Sequence, residues 1–142
     1  MKRTLTTATA LILALVMILS FASCNTVDAE GVWESATYLK DKEFGNGSTT
    51  VQVEVKAGEQ SVTFTINTDK ENLADALLEH SLIEGEDSQY GIMISHVNGM
   101  RADYTLDGAY WALYIGGEYA LTGVSSTPIE AGAHYELVYT AA

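Results

Sequence analysis

Few side chains in this sequence could form a nitrogen-rich or thiolate metal site, because it has three histidines and one cysteine. His80, His96 and His134 are too far apart in sequence to form the four-residue spacing that puts two imidazoles on one helix face. His80 falls near the end of a predicted helix and His134 at the start of a predicted strand, so we interpret both as structural residues. The sequence therefore predicts no metal site.

Common catalytic motifs are also absent from the sequence. It contains no Gly-x-Ser-x-Gly elbow, no Walker-type glycine loop and no His-Glu-x-x-His pair. Two acidic stretches, DKEFGNG and EGEDS, lack the spacing of a calcium loop and are interpreted as solvated loops. Glu86 and Asp87 fall in the second of them, where paired carboxylates are poorly suited to acid catalysis. We expect a protein that is not an enzyme.

The residues best suited to binding are aromatic side chains and glycines in the second half of the chain. A tyrosine or tryptophan combines an apolar body with a hydrogen-bonding tip, and a glycine lets a flat ligand approach the backbone. Alternation along a strand would point Trp111 away from Tyr110 and Tyr114, so Trp111 has the alternative interpretation of a core residue. The candidate ligand-binding residues are Tyr90, Tyr110, Trp111, Tyr114, Gly117, Tyr119 and Gly123.

The N-terminal segment has the pattern of an export signal. A basic start, the apolar run LILALVMIL and the small-residue stretch FASC, which ends at Cys24, follow one another. FASC resembles the lipobox of bacterial lipoproteins, with Phe21 at a position usually occupied by leucine. The apolar run is shorter than the roughly 20 residues that span a bilayer, so a spanning anchor is the weaker alternative. The sequence predicts a signal peptide over 1–23, lipidation of Cys24 and an extracytoplasmic protein anchored to the cell membrane.

The charge balance excludes some partners. The chain has a formal net charge of −12, and loss of Lys2 and Arg3 with the signal peptide would make it more acidic. Such a chain repels phosphate backbones and anionic lipid headgroups. We therefore expect no nucleic-acid partner and a membrane contact made by lipid. The lone cysteine also excludes an internal disulfide.

Hydrophobic periodicity predicts one domain over 33–142, after a flexible tether over 24–32. The stretch STTVQVEVKAGEQSVTFTIN alternates at period two and predicts a hairpin with its turn at AGEQ. Thr68 and Glu71 form the pattern of a capping box, which predicts a helix from near Glu71 to near Leu82 with Gly85 at its exit.

Further strands are predicted in the second half of the chain. Asn98-Gly99 is a strong turn signal between two of them. One helix against a mostly antiparallel sheet indicates an α+β fold, arranged as a β-grasp-like roll. The predicted strands are Tyr90–Val97, Tyr110–Ile115, Glu118–Leu121 and Tyr135–Tyr139.

Four long stretches resemble the transcobalamin-like C-terminal domain family, found in lipoproteins of Gram-positive bacteria. They are WESATYLKDKEFGNGSTTVQVEV, TDKENLADALLEHSLIEGE, YGIMISHVNGMRADY and YWALYIGGEYALTGVSSTPIEAGAHYELVY. The family is related to the small β domain of transcobalamin and intrinsic factor. The resemblance implies a β-grasp domain that binds cobalamin or another corrinoid without catalysis, and no covalently bound cofactor.

Transcobalamin-type proteins hold their ligand between this small domain and a large helical one. No stretch of the present sequence resembles the helical domain. The resemblance therefore implies that tight binding requires a helical partner domain or a vitamin transporter. The alternative from a different functional class is a structural or adhesion domain, in which the same aromatic hairpin contacts another protein at the cell surface.

Overall fold

The computed structural model describes residues 29–142, so the predicted signal peptide and Cys24 lie outside the described residues. The described part is an α+β domain with two short helices, a mixed six-stranded sheet and a small antiparallel sheet. The predicted α+β class is confirmed. No helix within 29–142 is both long enough and apolar enough to cross a membrane.

The elements follow one another closely along the chain. They are a 3₁₀ helix (Gly31–Ser35), β1 (Lys42–Phe44), β2 (Thr49–Ala57), β3 (Gln60–Thr68), α1 (Leu73–Glu79), β4 (Ile83–Ser88), β5 (Gly91–Val97), β6 (Met100–Arg101), α2 (Tyr104–Asp107), β7 (Ala109–Ile115), β8 (Glu118–Tyr119), a second 3₁₀ helix (Val124–Ser126) and β9 (His134–Ala141).

The six-stranded sheet has the order β1-β3-β2-β9-β7-β8. β1 pairs with β3 and β2 pairs with β9 in parallel, whereas the other neighbours are antiparallel. The sheet is therefore mixed, although a mostly antiparallel one was predicted. In the central parallel pair, Glu54 lies opposite Glu136.

The predicted hairpin is present as β2 and β3. Its alternation is preserved, with Val53 and Phe64 paired and both fully buried. Gly58 in the turn has a φ of +61°, a left-handed conformation that glycine adopts without strain. The period-two pattern thus gives one apolar face and one polar face, as expected for a half-buried sheet.

The predicted capping box at the start of the helix is wrong. Thr68 is the last residue of β3, where it pairs with Thr49, and its Oγ1 accepts a hydrogen bond from the Lys70 amide. The helix begins after Asn72, whose Oδ1 accepts from the Asp75 amide at 2.9 Å. Asparagine is a preferred N-cap, and here it replaces the capping box that the sequence pattern suggested.

The segment that follows α1 is also different from the prediction. Gly85 does not end a helix: it lies in β4 at an irregularity in the pairing with β5, where a Cβ atom would clash with the Met93 carbonyl. Glu86 and Asp87 are therefore in an exposed strand rather than a loop. The Asn98-Gly99 turn is confirmed, with φ of 52° and 79° at the two residues, as a type I′ turn requires.

The small sheet, α1 and the first 3₁₀ helix contribute the hydrophobic core that covers one side of the six-stranded sheet. Trp33 is buried there, and its Nε1 donates to the Ala57 carbonyl at 2.9 Å. We call this side the core face. The other side, the open face, carries side chains that remain partly exposed: Gln52, Glu54, Lys56, Tyr110, Tyr114, His134 and Glu136.

Candidate functional site

The hairpin of β7 and β8 is joined by a two-residue turn. Ile115 pairs with Glu118, and Gly116 and Gly117 between them both have positive φ, at 58° and 85°. This is again the geometry of a type I′ turn, which matches the twist of the strands. The turn alone explains Gly117, which lies at the exposed tip of the hairpin with no atom close to the position of a Cβ.

Three of the predicted tyrosines lie together on the open face. Tyr119 on β8 pairs with Tyr114 on β7, and their ring centroids are 5.5 Å apart in an edge-to-face arrangement. Interaction with the Tyr119 side chain raises the pKa of the Tyr110 hydroxyl above its ordinary value. The sequence thus brings together Tyr110, Tyr114 and Tyr119, which we call the tyrosine cluster.

Trp111 points to the core face. It is only 8% exposed, its Nε1 donates to the Met100 carbonyl at 3.3 Å, and its ring contacts Tyr139 edge to face. This position agrees with the alternative interpretation of Trp111 as a core residue. The hydrogen bond also connects β7 to the small sheet at β6.

A cavity of about 290 Å³ opens at the outer edge of β7. β8 pairs with β7 only at Tyr114 and Ile115, and after the Ala120 amide donates to the Leu113 carbonyl the chain turns away. The gap lies between β7, β5 and the segment up to Val124, and none of its lining residues is charged. We call it the β7 cavity. Four predicted residues line it: Tyr110, Trp111, Tyr119 and Gly123.

A second cavity, of about 580 Å³, lies next to the first. Its walls are the turn between β4 and β5 and the loop that follows β8, and it contains Tyr90. Tyr90 lies in that turn and is 79% exposed, because β5 begins one residue later than predicted. The two cavities share the segment 121–123, which includes Gly123.

The structure thus brings together five of the seven predicted binding residues around two adjoining cavities. Tyr114 and Gly117 line neither cavity, although the Tyr114 ring contacts Tyr119. Sequence reasoning missed Leu121, which lines both cavities and is 95% exposed. It had been assigned to the end of the strand, but β8 ends at Tyr119.

A group of titratable residues that the sequence analysis did not connect lies at the centre of the open face. Glu54 on β2 and His134 and Glu136 on β9 each place one ligand atom within 4.8 Å of the others. His134 Nε2 is 3.1 Å from Glu54 Oε2 and 3.6 Å from Glu136 Oε1. We call these three residues the His–Glu cluster.

Lys56 contacts the same cluster. Its Nζ is 3.2 Å from Glu136 Oε2 and 3.6 Å from Glu54 Oε2, and the hydrogen bond with Glu136 raises the pKa of Lys56. One signal for the cluster is visible in the sequence, because His134 and Glu136 are two residues apart and must share a strand face. Their proximity to Glu54 depends on the β2–β9 pairing, which spacing alone does not predict.

Comparisons with solved structures give two informative likenesses. The chain is 28% identical to a protein from Ruminococcus gnavus described as a "putative metal binding protein", over 67% of this chain and 99% of that one, with a TM-score of 0.63. It is 20% identical to haptocorrin, solved in complex with Cbi, with a TM-score of 0.54 over 69% of this chain. No protein-family model and no curated protein matches the chain.

The match to haptocorrin spans only 26% of the haptocorrin chain, and at this level of identity it concerns the fold alone. Haptocorrin belongs to the transcobalamin family. The predicted resemblance to transcobalamin-like domains is therefore supported at the level of the fold.

Proposed function

We propose that this chain is a non-catalytic binding protein, anchored outside the cytoplasm, whose ligand is cobalamin or another corrinoid. The observation that carries the proposal is the β7 cavity, where Tyr110 and Tyr119 meet an uncharged, largely apolar wall. The likeness in fold to haptocorrin, which was solved with Cbi bound, supports this class of ligand.

The chemistry of the cavity suits a flat ligand with an apolar body and polar edges. Small-molecule sites are lined mainly by apolar and aromatic side chains, with a few polar groups that fix the orientation of the ligand. Here Ile92 and Val124 contribute apolar walls, while the hydroxyls of Tyr110 and Tyr119 offer hydrogen bonds. The lining contains neither an acid–base pair nor a charged nucleophile-activating group, which supports binding rather than catalysis.

The size of the cavity indicates that this domain contacts only one side of the ligand. At about 290 Å³ it is just below the range of about 300–1,000 Å³ that is typical of small-molecule pockets. Met93 and Leu121, at its rim, are 61% and 95% exposed and would be covered by a second protein. Tight binding would accordingly need a helical partner domain or a vitamin transporter.

Within this proposal the domain is a β-grasp. Support comes from the strand order β3-β2-β9-β7, in which the two central strands run parallel and the flanking strands are antiparallel to them. α1 follows the first hairpin and packs on the core face. The succession of a hairpin, a helix and later strands of the same sheet was predicted from the sequence, whereas β1, β4, β6 and α2 were not.

Lipid attached at Cys24 would provide the anchor. The basic start, the apolar run and FASC support it, since together they form a lipoprotein signal. Cys24→Ser should release the protein to the medium or leave the precursor uncleaved, as measured by membrane fractionation and N-terminal mass. An unchanged membrane fraction with a mature N-terminus at another residue would contradict the anchor.

Calorimetric titration of the full-length, tag-free chain with cobalamin and with cobinamide tests the ligand. We expect weak binding, with a Kd on the order of micromolar or weaker, and a matching rise in Tm. Tyr119→Ala should weaken binding about tenfold, because an aromatic contact is worth on the order of 1 kcal/mol.

Tyr104→Ala is the matched control, since Tyr104 is 69% exposed and lines neither cavity. Absence of heat and of any Tm shift with both corrinoids at millimolar concentration would reject the proposal. An equal loss of affinity in the two tyrosine variants would reject the β7 cavity as the site.

A protein–protein adhesion role is the second candidate, and one observation favours it. Beyond its short pairing with β8, the outer edge of β7 has no neighbouring strand in the described residues. An exposed edge with apolar neighbours such as Tyr119 can accept a strand from another protein. This reading predicts that Tyr119→Ala alters cell-surface contacts while corrinoids have no effect.

A further inference from the structure

We propose that the His–Glu cluster on the open face is a binding site for a divalent transition-metal ion, with Zn²⁺ as the best fit. Glu54, His134 and Glu136 lie on the two central strands of the sheet, and Glu54 is the register partner of Glu136. None of these three residues lines the β7 cavity, so the metal site is independent of the corrinoid proposal.

The distances between the ligand atoms fit a single small cation. In a tetrahedral zinc site with bonds of about 2.0–2.2 Å, neighbouring ligand atoms are about 3.4 Å apart. His134 Nε2 lies 3.1 Å from Glu54 Oε2 and 3.6 Å from Glu136 Oε1, which brackets this value. One ion could therefore contact all three side chains with only small rotations.

The orientation of the imidazole is compatible with a metal ligand at Nε2. His134 Nδ1 lies 3.4 Å from Gln52 Oε1, and the tautomer with its proton on Nδ1 would donate to this oxygen. In the neutral tautomer, Nε2 then presents a lone pair to the Glu54 carboxylate at 3.1 Å. A metal ion placed between Nε2 and the carboxylate would accept lone pairs from both.

Gln52 also completes an arrangement that is common around metals. A histidine ligand usually donates its other ring N–H to an oxygen acceptor, which fixes the tautomer and the ring plane. Gln52 is the register partner of His134 across the parallel pair. The contact between the two side chains is therefore built into the sheet.

The donor set selects the class of ion. One imidazole nitrogen with two carboxylate oxygens suits Zn²⁺ and its transition-metal neighbours, whereas Ca²⁺ and Mg²⁺ prefer six or more oxygen ligands. The side chains of Glu54, Glu136 and His134 are 19%, 17% and 37% exposed, so the site is reachable yet partly shielded from water. Three protein ligands leave a fourth position open on the exposed side.

Lys56 is the competitor for this site. Its ammonium group lies against both carboxylates, at the end of a flexible stem that is 35% exposed. Binding of a metal ion would displace the ammonium into solvent at little cost, because ion pairs at such exposure contribute little to stability. Removal of the ammonium should consequently strengthen metal binding, whereas it would only weaken a purely ionic cluster.

Calorimetric titration of the full-length, tag-free, chelator-stripped chain with Zn²⁺ tests the site. We expect one ion per chain and a rise in Tm, since a ligand that binds the folded state stabilises it. Glu136→Gln preserves the shape of the side chain but removes a ligand charge, so it should lower the Zn²⁺ affinity more than about 100-fold. Substitution of a residue that only hydrogen-bonds to a ligand typically lowers the affinity by about 10- to 100-fold. Gln52→Ala should lower it about tenfold, and Lys56→Met should raise it.

His96→Ala is the matched control, because His96 Nδ1 also lies near a carboxylate, 3.8 Å from Glu84 Oε2, but has no second acid close by. Bound Co²⁺ should in addition give the intense visible absorption of a tetrahedral site. Failure to bind Zn²⁺ at millimolar concentration would overturn the proposal. So would equal affinities in Glu136→Gln and His96→Ala, and the cluster would then be a hydrogen-bonded group of His134, Glu54, Glu136 and Lys56 without a metal ion.

Discussion

The two faces of the six-stranded sheet are formed by the same strands but differ in burial and in the polarity of their side chains. On the core face, Val53, Phe64 and Leu137 are at most 1% exposed and belong to one hydrophobic cluster. On the open face, one residue away along the same strands, lie Glu54 and Glu136 with their basic partners. Burial of the core face thus stabilises the fold, while the His–Glu cluster lies on the open face.

This separation means that the candidate sites can change without loss of the fold. Period-two alternation keeps the side chains of successive residues on opposite sides, so a substitution on the open face removes no core contact. The β7 cavity is the exception. Trp111 belongs to the core and Tyr110 to the open face, yet both line this cavity because it lies at the edge of the sheet.

The largest effect should come from the centre of the core face. Phe64 is fully buried and contacts Tyr38 and Phe44 edge to face, with centroids 5.8 and 5.5 Å away. Phe64→Ala should lower the free energy of unfolding by about 3–5 kcal/mol, since it removes these contacts and leaves a void. Urea denaturation followed by circular dichroism measures the change.

Thr65→Ala provides the comparison on the open face. Thr65 is the next residue of the same strand and is only partly buried, so its loss should cost less than about 1 kcal/mol. Costs of similar size at Phe64 and Thr65 would show that the two faces contribute equally, against the distinction drawn above.

A smaller effect, of opposite sign, is expected from a polar atom on the core face. The Tyr139 hydroxyl is buried without a hydrogen-bond partner in the described residues. Tyr139→Phe removes this unsatisfied group and keeps the ring against Trp111, so it should raise the free energy of unfolding by about 1–2 kcal/mol. A thermal or urea melt at neutral pH measures it, and a destabilised variant would mean that the hydroxyl has a partner.

The same variant should change the response to alkali. Burial raises the pKa of Tyr139 above its value in the unfolded chain. Ionisation of Tyr139 therefore costs no stability below about pH 10. The free energy of unfolding then falls as the pH rises through the folded-state pKa of Tyr139. The stability of Tyr139→Phe should fall less steeply above this pH than that of the parent chain, although Tyr135, whose pKa burial also raises, will keep part of the slope.

The smallest of these effects concerns the helix that covers the core face. Asn72→Ala removes the side-chain acceptor for the Asp75 amide and should cost about 1 kcal/mol. Hydrogen exchange identifies the residue that caps the helix. The exchange rate of the Asp75 amide should rise in Asn72→Ala and stay the same in Thr68→Ala. Faster exchange at Asp75 in Thr68→Ala instead would restore the capping box that the sequence suggested.

The sequence predicts what local periodicity and turn chemistry determine. The β2–β3 hairpin follows from strict alternation, and the Asn98-Gly99 turn from the two positive φ angles that these residues tolerate. The tyrosine cluster follows as well, because a two-residue turn after Ile115 fixes which residues of β7 and β8 face each other. Each of these features depends on residues that are close in sequence.

Features that depend on distant pairing or on exposure were not predictable in the same way. β4 is exposed along almost its whole length, so it has no apolar alternation to reveal it. α2 has a suitable cap in Asp103 and ends at Gly108, but four residues are too few for a helical period. The His–Glu cluster requires β9 to pair with β2 rather than with another strand.

The parallel pairing of β2 with β9 also constrains when the domain can form. The side chains of Gln52 and His134, which meet across this pair, are 82 residues apart in sequence. A contact of such long range carries a large loop-closure cost and slows folding. β9 pairs with both β2 and β7 and is the last strand to be synthesised, so one edge of each of these strands stays unpaired until then. Unpaired strand edges make the chain prone to aggregation during this interval.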